Sequence, residues 1–324
     1  MDRRHFIVGS AMVAAGAALA SSLGLSKARA EAPQGTKQAP GYYRTKVGSI
    51  ELVALSDGGM TLGDELMLKT DAETLAAARE KNFIKAGKEF PAYVNGYVVN
   101  TGKKVTLVDT GAKGYAVTLG NLLSNLNDSG LSSEQVDEIV LTHAHPDHTN
   151  GLLDDKGGRA FKRARLRLSE EELNYWFSDE KMAAFPDKNV MFDLAHKNIG
   201  PYKDAGQVET FKLGADLGGG IHSLALPGHT PGHTGLRISD GSEQFLIWAD
   251  LIHVPAVQFE HPEISIAFDT DPDMAKATRT KVLAEAAADR LRVAGMHLIF
   301  PGIGHVVKSG DGYAFAPQAW ETAV

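Results

Sequence analysis

The sequence predicts an α/β fold packed as one compact domain, and three observations carry that expectation. Short β-branched or alternating apolar runs bounded by turn residues interleave with segments whose apolar residues recur at helical spacing. No segment repeats at a fixed period, and no Pro/Gly/Ser-rich linker interrupts the interior. With 324 residues, 43% apolar and 23% charged, the chain can bury a sizeable core.

Taken in order, residues 31–41 are rich in Pro, Gly, Ala and Gln and read as a flexible lead-in to a domain spanning 42–324. Residues 50–55 and 92–99 read as strands. Residues 104–108 form a buried run ending at Asp109-Thr110-Gly111, after which Tyr115, Leu119, Leu122, Leu123 and Leu126 recur at helical spacing. A further short apolar run covers 138–142. A helix is expected over 169–178, strands near 206–213, 220–226, 234–239 and 243–249, a long helix over 272–293 and a last strand over 296–300. The long helix carries its own start: Asp271 can cap it, Pro272 suits its first turn, and Val282, Leu283, Ala286, Ala287 and Leu291 share one face.

The first 30 residues are an address rather than structure. Arg3-Arg4-His5-Phe6 precedes an apolar run over 6–25, and Ala28-Arg29-Ala30 fits a small-x-small cleavage site. This segment resembles a twin-arginine export signal, which implies a periplasmic mature protein with no stable membrane insertion after cleavage. An uncleaved anchor is the alternative, since the run is about long enough to span a bilayer, although its Gly and Ala make it weakly hydrophobic. The chain's net charge is -7, so nucleic acid is not an expected partner. There is no cysteine, which removes disulfides, thiolate metal sites and cysteine nucleophiles together. Any metal chemistry must use oxygen and imidazole donors.

Such donors are concentrated in His143-Ala144-His145-Pro146-Asp147-His148, directly after a buried strand. In extended backbone His143 and His145 project to the same side. Pro146 can open a helical turn that brings Asp147 and His148 towards the same centre. Two imidazoles then face one metal, and a carboxylate with an imidazole face a second.

His-x-His-x-Asp-His resembles the signature of the metallo-β-lactamase superfamily, and the other expected stations follow in order. Asp109-Thr110-Gly111 matches the strand end that supports the site, with Asp109 and Thr142 as candidates to fix imidazole tautomers. Leu226-Pro227-Gly228-His229-Thr230-Pro231-Gly232-His233 matches the next ligand turn, and Trp248-Ala249-Asp250 the strand that ends in a bridging carboxylate. The resemblance implies a four-layer αβ/βα sandwich. Within the superfamily, the signal, the Trp/Tyr segment after residue 170 and Gly295-Met296-His297-Leu298-Ile299-Phe300-Pro301-Gly302 look most like the methyl parathion hydrolase and lactonase branch. That branch implies His297 as the last ligand, while many other members favour the position of His305. The implied assignment is His143, His145 and His229 to one metal, Asp147, His148 and His297 to the other, and Asp250 between them.

Two divalent ions, zinc or a similar borderline metal, about 3.5–4 Å apart would clamp a bridging water and make hydroxide available at neutral pH. Asp250 and Asp147 are then the catalytic carboxylates. In similar enzymes Tyr115, Tyr175, Trp176, Phe185 and Phe192 fall in segments lining an apolar pocket, with ordinary core packing as the alternative for each. His233 is expected to close a turn or orient His229. His196, His222, His253 and His261 have no partner pattern and default to structural or surface roles, and Glu170-Glu171-Glu172 reads as a solvated face or helix start. The expected function is a dinuclear metallohydrolase of small uncharged lactones or aryl esters, with phosphotriesters as an additional or main substrate. β-Lactam hydrolysis is weaker, because several β-lactamase types use a Cys ligand. A homodimer is compatible with this reading.

Overall fold

Side chains on the strands Ile50–Leu62 and Phe90–Asn100 alternate between two faces, and both faces are apolar. Val53, Leu55 and Val98 enter one buried cluster, whereas Leu52, Ala54, Tyr97 and Val99 enter another. A sheet made of such strands must be covered on both sides. The computed structural model describes residues 34–36, 38–185 and 189–323, and shows what covers them. The expected export signal at 1–30 lies outside the described residues.

From Ala39 onwards the chain forms one compact unit. One seven-stranded sheet runs, edge to edge, Tyr42–Val47, Ile50–Leu62, Phe90–Asn100, Val105–Val108, Glu138–Val140, Arg165–Ser169 and Val208–Phe211. The second runs Gly312–Pro317, Ile303–Ser309, Arg292–Ala294, Glu243–Ile247, Thr234–Asp240, Ile221–Ala225 and Asp216–Gly218. Three apolar clusters separate four layers. Leu107, Ile139 and Leu166 pack outward against Leu122, Leu126, Phe192, Ile199 and Tyr202 of the helices Leu122–Asp128 and Asn189–Asp204. Val108 and Val140 face Leu236, Phe245, Ile247 and Ala294 between the sheets. Leu246 and Val293 turn the other way, onto Val282, Leu283 and Ala286 of the helix Pro272–Ala288. The expected four-layer αβ/βα sandwich is therefore the observed one. The start of the last helix also matches, since Asp271 Oδ1 accepts from the Met274 N–H at 3.0 Å and Pro272 occupies its first turn. Among the described residues no helix is long and apolar enough to cross a membrane.

Three expected elements differ. The helical spacing from Tyr115 becomes a helix only at Leu122. Residues 112–121 form a loop because buried Asp57 captures the N–H groups of Ala112, Gly120 and Leu122 at 2.9–3.0 Å, while Gly114 and Gly120 take positive φ. The last strand expected over 296–300 is instead Arg292–Ala294, parallel to Glu243–Ile247. The long helix stops at Ala288, and the apolar run Met296 to Leu298 is a buried turn, which periodicity cannot distinguish from a short strand.

Candidate metal centre

Four stretches bring donors to one edge of both sheets. His143, His145, Asp147 and His148 follow the strand Glu138–Val140, with His145 in extended conformation capping the helical turn Pro146–Thr149. His229 lies in the turn before Thr234–Asp240, Asp250 follows Glu243–Ile247, and His297 follows Arg292–Ala294. The His229 turn reaches the long helix because Gly228, at φ 126°, has no Cβ; one would lie 2.1 Å from the Ala275 nitrogen. Asp109 and Ala249 hold left-handed φ of 59° and 50° beside the site, a strain of about 1–3 kcal/mol each that the surrounding packing sustains.

Donor atoms of His143, His145 and His229 form one close group, and those of Asp147, His148, Asp250 and His297 form a second. Within the first, His143 Nε2, His145 Nδ1 and His229 Nε2 lie 3.0–3.1 Å from one another. Tetrahedral zinc with nitrogen ligands at about 2.0–2.1 Å would space them about 3.3–3.4 Å apart. Asp250 Oδ2 stands 3.3 Å from His229 Nε2, 3.6 Å from His143 Nε2 and 3.0 Å from His297 Nε2, while its Oδ1 is 3.2 Å from His148 Nε2. One carboxylate thus borders both groups.

Proton positions follow from the outer partners. Thr142 Oγ1 donates to Asp109 Oδ2 at 2.7 Å, so towards His143 Nδ1, 3.1 Å away, it can only accept. His229 Nδ1 donates to Asp269, His148 Nδ1 to Asp109 and His297 Nδ1 to the Tyr93 carbonyl, at 2.9, 2.7 and 2.6 Å. In the neutral imidazoles the inner nitrogens of all four rings are then lone pairs aimed at one another or at carboxylates. His148 Nε2 and Asp250 Oδ1 have no hydrogen-bond partner although both are buried. Lone pairs crowded at 3 Å repel unless a cation lies between them, so the residues present fit two divalent ions.

The electrostatics agree. Burial disfavours the charged forms of Asp250 and Asp147, yet the surrounding imidazoles hold both carboxyls below the usual range. Burial also opposes a proton on His229, but Asp250 and Asp269 overcome it and push the ring up to about 9; His148 and His297 are raised by Asp250 and Asp147. His143 and His145 are lowered, chiefly by burial. Without metal the site gathers protons where cations would sit.

Several partners escaped the sequence reading. Asp269, which orients His229, stands outside any motif and comes near only through the fold. His233 does close its turn, with Nδ1 2.8 Å from the Leu226 carbonyl, and its Nε2 accepts the Asp250 N–H at 3.1 Å, so it places Asp250 rather than His229. His253 is not a remote structural or surface residue. It is buried, 3.2 Å from Asp250 Oδ2, stacked on His297 at 5.0 Å, and both its ring nitrogens lack hydrogen-bond partners. Burial pulls it down to about 4. Glu172 is no solvated face: it is fully buried, and its carboxylate touches both histidine-bearing loops. An acidic run at a helix start conceals such a residue, because one turn of helix sends its three carboxylates in different directions.

A cavity of about 230 Å³ opens over the donors, walled by Met60, Leu62, Tyr115, Val190, Met191 and Phe268, with His253 at its base. Among the described residues no Lys or Arg lines it. Tyr115 stands in this wall as expected, 48% exposed. Trp176 and Phe192 do not. Both are buried in the outer core at 4.7 Å from each other, and Trp176 meets the far edge of His145 at 5.4 Å. The helix Asn189–Asp204 turns Val190 and Met191, not Phe192, towards the cavity. Tyr175 belongs to the same core, and Phe185 is 40% exposed outside the wall. His305 lies exposed on the strand Ile303–Ser309 opposite Arg292, away from the donors, so of the two candidates only His297 reaches them.

The family model of the metallo-beta-lactamase superfamily matches residues 90–297. Among solved structures, the chain is similar to the hydrolase AbOPH of the beta lactamase superfamily, with 33% identity and a TM-score of 0.84 over 88% of this chain and 100% of that one. AidC, a dizinc quorum-quenching lactonase solved with the product N-hexanoyl-L-homoserine, matches with 29% identity and a TM-score of 0.80 over 87% of this chain and 99% of that one. A probable metal-dependent hydrolase from Staphylococcus aureus, at 17% identity and a TM-score of 0.67 over 85% of this chain and 100% of that one, shares the fold. No curated protein sequence matches significantly.

Proposed function

The chain belongs to the metallo-β-lactamase superfamily as a metal-dependent hydrolase, and on that premise we propose that it holds two divalent ions, zinc foremost, and cleaves lactones and aryl esters bearing an apolar arm. One observation carries the reading: inner lone pairs of the imidazoles and the Asp250 carboxylate converge at the floor of a cavity whose remaining wall, among the described residues, is apolar and free of Lys and Arg. Such a wall favours an uncharged substrate with a hydrocarbon or aromatic portion, since nothing in it would pair with an anion. Lactones are favoured among these by the similarity to AidC, a lactonase.

Bound ions would supply Lewis acidity and lower the pKa of water towards neutrality. The chain's own groups do the rest. His143, His145 and His229 would hold one ion, and Asp147, His148 and His297 the other, with Asp250 between the two groups. Asp147, whose side chain is 16% exposed at the cavity wall, is placed to take the proton of the attacking water. His253 lines the cavity beside Asp250, and its buried ring nitrogens have no hydrogen-bond partner. Tyr115, Met60, Leu62 and Phe268 hold the apolar arm and keep bulk water out.

Phosphotriesters are a second reading, as they too are uncharged and can carry an aryl leaving group. The decisive experiment assays metal-reconstituted protein on N-acyl lactones, aryl acetates, a phosphotriester and nitrocefin. Lactone or aryl ester turnover that exceeds the others and disappears with chelator is expected. Faster phosphotriester turnover would shift the assignment to the second reading, and no turnover of lactones or esters would refute the first.

A further inference from the structure

Glu172 is a buried carboxylate that no step of the proposed reaction uses. It is fully buried in the first turn of the helix Glu170–Trp176 and receives four hydrogen bonds. Oε1 accepts from the Ala144 N–H at 3.0 Å and from Trp176 Nε1 at 2.5 Å. Oε2 accepts from Thr230 Oγ1 at 2.7 Å and from the Gly232 N–H at 3.0 Å. All four donors are neutral. Ser169, which caps the helix by accepting from the Glu172 N–H at 3.1 Å, also donates to the Gly232 carbonyl at 2.9 Å. Gly232 is grasped at both polar groups, and only glycine permits the approach: a Cβ there would lie 2.3 Å from the Glu172 nitrogen and 2.4 Å from Ser169 Oγ.

The donors are not placed at random. Ala144 sits between His143 and His145, and Thr230 and Gly232 follow His229. Trp176 rests against His145. Each donor to the carboxylate thus lies beside one of the three histidines in the chain or, as Trp176, against one of their rings, and the carboxylate itself touches none of Asp147, His148, Asp250 or His297.

We propose that Glu172 is a positioning residue that clamps the His143/His145 loop to the His229 turn and so sets the geometry of the three-histidine metal, with less effect on the position held by Asp147, His148 and His297. The proposal rests on the dinuclear reading above. A carboxylate suits the task because both oxygens accept and each meets two donors, whereas an amide would turn an N–H₂ group towards two of those donors. Groups in the outer shell of a metal site typically change affinity by about 10- to 100-fold, and this one acts through the two loops that carry the three histidines.

The test is cadmium-113 NMR with competitive metal titration on the full chain. Wild-type protein should show two resonances, one for the three-histidine position and one for the mixed carboxylate–histidine position. In Glu172→Gln the first should shift or vanish and its affinity should fall about 10- to 100-fold, while the second should change less in both. Trp176→Phe, which removes one donor and keeps a ring in the core, should move the same resonance less. It decides the matter if the Glu172→Gln protein does not fold. Glu170→Gln on the same helix is the control and should change neither resonance. Two unchanged resonances, or two changed equally, in the decisive variant would overturn the inference while leaving the dinuclear reading intact. Fewer than two resonances in wild-type protein would overturn both.

Discussion

Asp250 is the residue on which the proposed dinuclear arrangement turns, since among the described residues its carboxylate borders both groups of imidazoles. Asp250→Asn keeps the size and removes the charge that would hold two dications together. One ion should be lost, and kcat and kcat/KM should both fall by about 10²-fold or more for every substrate, as for other groups whose charge is needed in the transition state. Elemental analysis beside steady-state kinetics checks this, and normal metal content with near-normal turnover would remove Asp250 from the bridging position. At this scale the motif residues were legible because each is a rare donor type at a telling spacing. Asp269, His253 and Glu172 were not, since an isolated acid or histidine shows no pattern until folding sets it beside a ligand.

At the scale of elements, the loop 112–121 shows how one buried acid shapes the cavity mouth. Asp57 follows Ser56, where the strand Ile50–Leu62 shifts register against Phe90–Asn100. Its carboxyl, pushed up by burial, is stabilised by three backbone N–H groups of the loop that carries Tyr115. Asp57→Ala should free that loop, raising KM for substrates with an apolar arm several-fold and opening a protease site within 112–121, with metal content unchanged. Kinetics and limited proteolysis read both. Unchanged KM and protection would show that the loop is held by its packing alone. The helical spacing of Tyr115 and Leu119 with Leu122 and Leu126 was a real pattern, but three hydrogen bonds to one side chain outweighed it. Leu122 and Leu126, which lie in the outer core, are the part of that pattern the structure keeps as helix.

Across the whole molecule, the donors come from loops of both sheets, so ions at the site would tie the two halves of the sandwich together. Metal binding and folding should be coupled, and their pH dependence has a definite sign. In metal-free protein His229 is raised from 6.5 to about 9, with His148 and His297 shifted the same way, so this stabilisation is fully present below pH 6.5 and fades as pH rises through about 9. Asp147 and Asp250 are lowered, so their share is present above about pH 3.8 and fades in stronger acid. Metal-free protein should therefore lose Tm between pH 6.5 and 9, while the metal-loaded form should not, because ions replace the protons. Differential scanning calorimetry of both forms at pH 6, 7.5 and 9 tests this. Parallel Tm profiles would mean that metals and protons do not compete for these nitrogens.

The sequence by itself determined an alternation of buried strands and helices and a local cluster of candidate donors, while the four-layer sandwich was legible only through the family resemblance. Two-faced apolar strands such as 104–108 and 138–142 demand cover on both sides, and His143, His145, Asp147 and His148 lie close enough along the chain for local geometry to gather them. His229, Asp250 and His297 were legible only through the order of their motifs. Tertiary structure decided what depends on contacts between distant segments. It chose His297 over His305, since the chain turns at Met296 before the strand that carries His305 away. It buried Trp176 and Phe192 behind the site and turned Met191 and Val190 into the wall. It also drew Glu172, Asp269 and His253 from anonymity to the ligands, because a hydrogen bond is a relation between two positions and a linear pattern records only one of them.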